Sequence, residues 1–107
     1  GASAVDLGEE MRSSNAGIHS ASMGGVWQSA VLGFGGVRIV GGDLRIAPSL
    51  PEEWSQLDFN IVWRGTPLHV TVDHEQVTVT SNGPEVSFIL GHEAVVLKDG
   101  ECVTKKI

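Results

Sequence analysis

The sequence predicts a mainly β protein, an antiparallel, jelly-roll-like β-sandwich preceded by one α-helix. Three observations carry that reading. Apolar residues alternate with polar ones in short arms from Val37 to the C-terminus, glycine and proline turns separate the arms at hairpin spacing, and a single helical stripe lies upstream. The chain has 107 residues, the size of one small domain or of one domain with the end of its neighbour.

The helix comes first. Met23, Val26, Trp27, Ala30, Val31 and Phe34 recur at helical spacing and define one face, which predicts a helix over residues 22–33. Ser20 or Ser22 can cap its first amides, and Gly33, Gly35 and Gly36 supply its stop. Gly24 and Gly25 each weaken a helix by roughly 1 kcal/mol against alanine, so something must need the space left by their missing side chains. No Asp, Glu, Lys or Arg occurs between residues 13 and 37, yet His19, Gln28, serines and glycines make the stretch too polar for a bilayer span.

Past Gly36 the period becomes two. Residues 37–40 and 43–47 form a hairpin across Gly41-Gly42, and Pro48 and Pro51 bound a loop that Trp54 anchors. Arms follow at 57–63, 67–73, 76–81, 85–90, 94–98 and 102–104, separated by Arg64-Gly65-Thr66, His74-Glu75, Asn82-Gly83-Pro84, Gly91-His92-Glu93 and Asp99-Gly100-Glu101. One face of each arm is apolar and the other polar, as two packed sheets require.

Composition narrows the function. Seven Lys and Arg against thirteen Asp and Glu give a net charge of −6, which argues against nucleic-acid partners and anionic membrane surfaces. Cys102 is the sole cysteine, so no internal disulfide exists and a cytoplasmic setting is expected. Gly1-Ala2-Ser3-Ala4 reads as a mid-chain start or a leftover of cloning, not as a signal peptide.

His19 stands ahead of the helix, where free amides and the helix dipole favour an anion, and Ser20 and Ser22 add hydroxyls. A buried, hydrogen-bonded histidine is the plainer alternative. His69, His74 and His92 lack metal-ligand spacing, and Cys102 has no second thiolate, so no metal site is expected. His69 reads as a polar-face strand residue with Leu68 and Val70 turned to the core. The pair Glu52-Glu53 on a proline loop reads as a solvated tip, and Asp6, Glu9 and Glu10 are no better as an acid/base pair. Trp54 and Trp63 could stack on sugar rings if exposed, although core tryptophans are commoner in sandwiches.

The run Gly17-Ile18-His19-Ser20-Ala21-Ser22-Met23-Gly24-Gly25-Val26-Trp27-Gln28, with Gly33-Phe34-Gly35-Gly36, Leu50-Pro51-Glu52-Glu53-Trp54 and Trp63-Arg64-Gly65, resembles the C-terminal end of glycoside hydrolase family 65. That family includes maltose, trehalose, kojibiose and nigerose phosphorylases and some trehalose hydrolases. The resemblance implies that residues 1–36 end an (α/α)6 barrel catalytic domain and that residues 37–107 form a small C-terminal β-domain beside it. It further implies that inorganic phosphate is the co-substrate, that no other cofactor is needed, and that phosphate attacks the anomeric carbon of an α-linked disaccharide with inversion. His19 maps onto the histidine at the phosphate site, with Ser20 and Ser22 as accessories. The glutamic acid that protonates the leaving sugar lies upstream of Gly1, so no catalytic residue is expected here and the chain alone should be inactive. The expected partner is the barrel; homo-oligomerisation stays open. A fragment of a trehalose-type hydrolase and a free-standing carbohydrate-binding sandwich remain the alternative readings.

Overall fold

A computed structural model describes residues 33–107 in full and, before them, the backbone of three short strands. These are β1 (Val5–Leu7), β2 (Arg12–Asn15) and β3 (Ile18–His19). Of the helix expected over residues 22–33, residues 22–32 lie outside the described residues, as does Ser20; Gly33, its expected last residue, is helical.

Downstream, the period-two arms become β4 (Val37–Val40), β5 (Asp43–Ile46), β6 (Trp54–Trp63), β7 (Thr66–Asp73), β8 (Gln76–Ser81), β9 (Val86–Leu90), β10 (Glu93–Leu97) and β11 (Cys102–Lys106). They divide between two sheets. One has seven strands in the order β11-β8-β7-β6-β2-β3, with β1 also paired to β6; the other has four, β10-β9-β5-β4. Every pairing is antiparallel except β5 with β9, where Arg45 lies opposite Ile89 and Ile46 opposite Leu90. The chain starts in the seven-stranded sheet with β1–β3, crosses to the other for β4 and β5, returns for β6–β8, crosses again for β9 and β10 and comes back for β11, which makes an antiparallel-dominated sandwich.

Alternation sets which face is buried. Leu57, Phe59, Ile61 and Trp63 of β6 point inward, against Leu68, Val70 and Val72 of β7 and Val77 and Val79 of β8. The other sheet contributes Val37, Leu44, Ile46, Val86, Phe88, Leu90 and Leu97 to the same core. A one-residue slip of any of these strands would turn its apolar set to solvent, so burial fixes register.

β6 is the longest strand and holds the sheet together. One edge pairs with β7 from Gln56↔Asp73 to Trp63↔Thr66. The other edge is shared: β1 covers Ile61 to Trp63, and β2 covers Trp54 to Asp58 with a register shift between Ser14 and Asn15. The Arg64-Gly65 turn that follows has positive φ at both residues, +51° and +84°, the geometry of a tight hairpin that matches strand twist. Lys105 of β11 ties the two sheets together. Its Nζ meets the Glu93 carboxylate at 2.8 Å, and that ion pair holds the Glu93 carboxyl below its ordinary value through the hydrogen bond first and the charge second.

Candidate functional site

His19 is the residue on which the sequence-based site turns. It ends β3, opposite Ser14 on β2, and β2 in turn lies against the first half of β6. His19 is therefore carried on the outer hairpin of the seven-stranded sheet, next to the corner where Asn15 pairs with Trp54. The short strand places its backbone just ahead of the span where the helix was expected.

That corner is well built from the described side. Trp54 is half-buried and meets Phe34 edge to face, with ring centroids 5.2 Å apart and planes at 66°. His74 Nε2 donates to the Trp54 carbonyl, which ties the β7–β8 turn to the start of β6. The turn itself is closed by the Asp73 carboxylate, which accepts from the amides of Glu75 at 2.7 Å and Gln76 at 2.8 Å. The loop anchored by Trp54 carries Glu52 and Glu53 exposed, without a hydrogen-bond or ion-pair partner among the described residues, as a solvated tip would be.

The remaining singled-out residues fall elsewhere. Trp63 is 2% exposed and fills the core, and Arg64 stacks over its ring with the guanidinium carbon 4.8 Å from the centroid while donating to the Gly42 carbonyl at 2.7 Å. Trp54 and Trp63 thus share no open groove, and the sugar-stacking reading loses its platform. His69 lies on the outer face between buried Leu68 and Val70, and its Nδ1 donates to Asn60 Oδ1 at 2.7 Å. His92 accepts from Arg45 at 3.2 Å. Cys102 is exposed on β11 opposite Thr80. Among the described residues no group of three or more His, Cys, Asp or Glu side chains could hold a metal ion, and no helix is long and apolar enough to cross a membrane.

One pairing escaped the sequence reading. Arg38 and Arg45 stand directly opposite each other in the β4–β5 hairpin. The signal was present: once Gly41-Gly42 forms the turn and Val40 faces Asp43, residue 38 must face residue 45.

These features define a mainly β, two-sheet module with a histidine-bearing strand at one sheet edge. Residues 37–97 match the family model described as glycosyl hydrolase family 65, C-terminal domain, and the chain belongs to that family. Over 101 residues it is 43% identical to a kojibiose phosphorylase of Halothermothrix orenii, an alignment that takes in 94% of this chain and 12% of that protein. With a kojibiose phosphorylase of Escherichia coli the identity is 37% over 95 residues, 89% of this chain and 12% of the other. A solved structure of a candidate kojibiose phosphorylase from the human microbiome superposes with a TM-score of 0.71 at 27% identity, covering 85% of this chain and 13% of that one. The chain thus spans about an eighth of the length of the relatives it matches.

Proposed function

We propose that this chain is the C-terminal piece of an inverting disaccharide phosphorylase, and that its relatives' named substrate, kojibiose, is the first to test. The 43% identity to a kojibiose phosphorylase across 94% of the chain is the observation that carries this reading. Residues 1–36 would end the catalytic barrel and residues 37–107 would form the sandwich beside it. The family match beginning at Val37 supports that boundary. The pairings of β1 and β2 with β6 would then be the seam between the two bodies.

In that enzyme a phosphate oxygen attacks the anomeric carbon while an acid from the barrel protonates the glycosidic oxygen. The old carbon–oxygen bond breaks on one face as the new one forms on the other, so configuration inverts. Such a displacement needs the nucleophile fixed opposite the acid, and orienting it can supply several kcal/mol of the barrier, of about 7–11 kcal/mol available to ideal positioning. His19, with Ser20 and Ser22, is the group we assign to phosphate, by a helix-start anion site of the kind backbone amides create. A cytoplasmic setting fits the sole cysteine.

The test has two arms. The 107-residue chain should release no glucose 1-phosphate from kojibiose, maltose or trehalose above a buffer blank. In the full-length enzyme His19→Ala should raise the apparent KM for phosphate far more than that for disaccharide; equal effects on both would defeat the assignment.

A further inference from the structure

We infer that Arg38 and Arg45 form a binding site for a small oxyanion, a phosphate or a carboxylate, on the outer face of the four-stranded sheet. Two guanidinium-bearing residues opposite each other in an antiparallel pair repel, and a pair of this kind destabilises a sheet unless something neutralises it. Neither is neutralised by the described residues. The ion pair found among them is Lys105 with Glu93, and Asp43, two pairs along on the same hairpin, makes none with either arginine although the chain carries thirteen carboxylates to seven basic side chains.

The geometry is that of a held receptor. Arg45 Nε donates to the Gly91 carbonyl at 2.9 Å and one terminal nitrogen meets His92 Nδ1 at 3.2 Å, which fixes the half-buried guanidinium and leaves its other terminal nitrogen to donate. Arg38 is exposed on the neighbouring strand and has no partner among the described residues. Between them and the Gly33–Gly36 segment opens a cavity of about 230 Å³, lined also by Ala47 and Ser49. Gly33 leaves backbone accessible, and exposed Ser49 adds a hydroxyl donor. The free guanidinium fork of Arg38, the remaining terminal nitrogen of Arg45 and a hydroxyl around one cavity suit an anion with several acceptor oxygens better than a monatomic ion, because these donors can each engage a different oxygen.

This site is separate from the one assigned to His19, so the two can fail independently. The probes are inorganic phosphate and acetate, titrated into the 107-residue chain at constant ionic strength while the arginine Nε–Hε resonances are followed by NMR. The chain has four arginines, Arg12, Arg38, Arg45 and Arg64, so single substitutions assign the signals. The Arg45 resonance should shift saturably with either probe and not with chloride. Arg38→Gln, at an exposed position, should weaken the binding at least tenfold, and His19→Ala should leave it unchanged. If the titration persists in the full-length polypeptide, the anion is free. If Arg38 there is already protected and the probes no longer act, an acidic side chain of the larger protein is the anion; either result upholds the site. A shift that does not saturate, that survives Arg38→Gln, or that vanishes in His19→Ala overturns it.

Discussion

Gly36→Ala should be among the most damaging single methyl groups that can be added to this protein. Gly36 leads into β4 with φ at +63°, in the left-handed region, where an alanine costs roughly 1–2 kcal/mol. A Cβ built there would lie 2.0 Å from the Ala47 carbonyl oxygen and 2.5 Å from its carbon, against an optimal separation of about 3.5–4.0 Å for non-bonded carbons. The obstacle is backbone, so no rotamer relieves it; the two segments must move apart by more than about 1 Å. That movement strains the Ala47 amide bond to the Gly36 carbonyl at 3.0 Å and the Ser49 amide bond to the Phe34 carbonyl at 2.7 Å. Each is worth about 1 kcal/mol, so with the dihedral cost the loss reaches about 3–4 kcal/mol. Against a typical domain stability of about 5–15 kcal/mol this is severe, and the Tm should fall by at least about 12 °C. Urea unfolding followed by tryptophan emission measures it, with Gly33→Ala as the control. No atom lies within 4 Å of a Cβ at Gly33, and its change should stay within about 0.5 kcal/mol. A Gly36→Ala protein that unfolds within about 1 kcal/mol of the parent would refute the argument from close approach.

Ser81 Oγ is fully buried with no partner among the described residues, so Ser81→Ala should be neutral or stabilising by up to about 1 kcal/mol in the same urea assay; a clear loss would mean that the hydroxyl is satisfied. Phe59 is wholly inaccessible at the centre of β6, and Phe59→Ala should cost about 3–5 kcal/mol through lost transfer energy and the cavity left behind. The folded-state pKa of Glu93 is depressed, so its contribution is present above the unfolded carboxyl value of about 4.3 and disappears as pH falls through the folded one. The Tm difference between the parent and Glu93→Gln should therefore be seen near neutral pH, close as the solution is acidified below that value, and shrink in high salt; a gap that widens in acid would contradict the Lys105 pairing.

What the sequence made legible was what local periodicity encodes. Leu57, Phe59, Ile61 and Trp63 alternate with polar residues, and their burial follows directly. The proline loop and the glycine-pair hairpin are likewise local, and Asp43 faces Val40 as the turn requires. Pairing between distant strands is not local. Nothing in Asp43–Ile46 states that β5 will run parallel to β9, forty-odd residues on, because either edge of a short strand offers the same donors and acceptors. β2 escaped for a related reason: Arg-Ser-Ser-Asn has neither alternation nor β-branched residues, and it is a strand because β6 presents it with an open edge. The fate of Trp63 was undetermined until its parity along β6 was fixed by Leu57 and Phe59.

The same asymmetry bears on how the sandwich carries His19 at its edge. β6 is held on its core face by four buried side chains and on one edge by all of β7, so it is a rigid rail. The hairpin of β2 and β3 that bears His19 hangs on the other edge, and β2 brings no large apolar side chain to that contact. Its attachment rests on ladder hydrogen bonds, each worth about 1 kcal/mol net, and a two-stranded ribbon is marginal without a surface to pack on. The rail can therefore set where the His19 strand begins, but holding a charged phosphate there to within a fraction of an ångström needs packing from a second side. On the proposed reading the catalytic barrel supplies that side, and the sandwich serves catalysis by fixing the edge against which the two bodies meet.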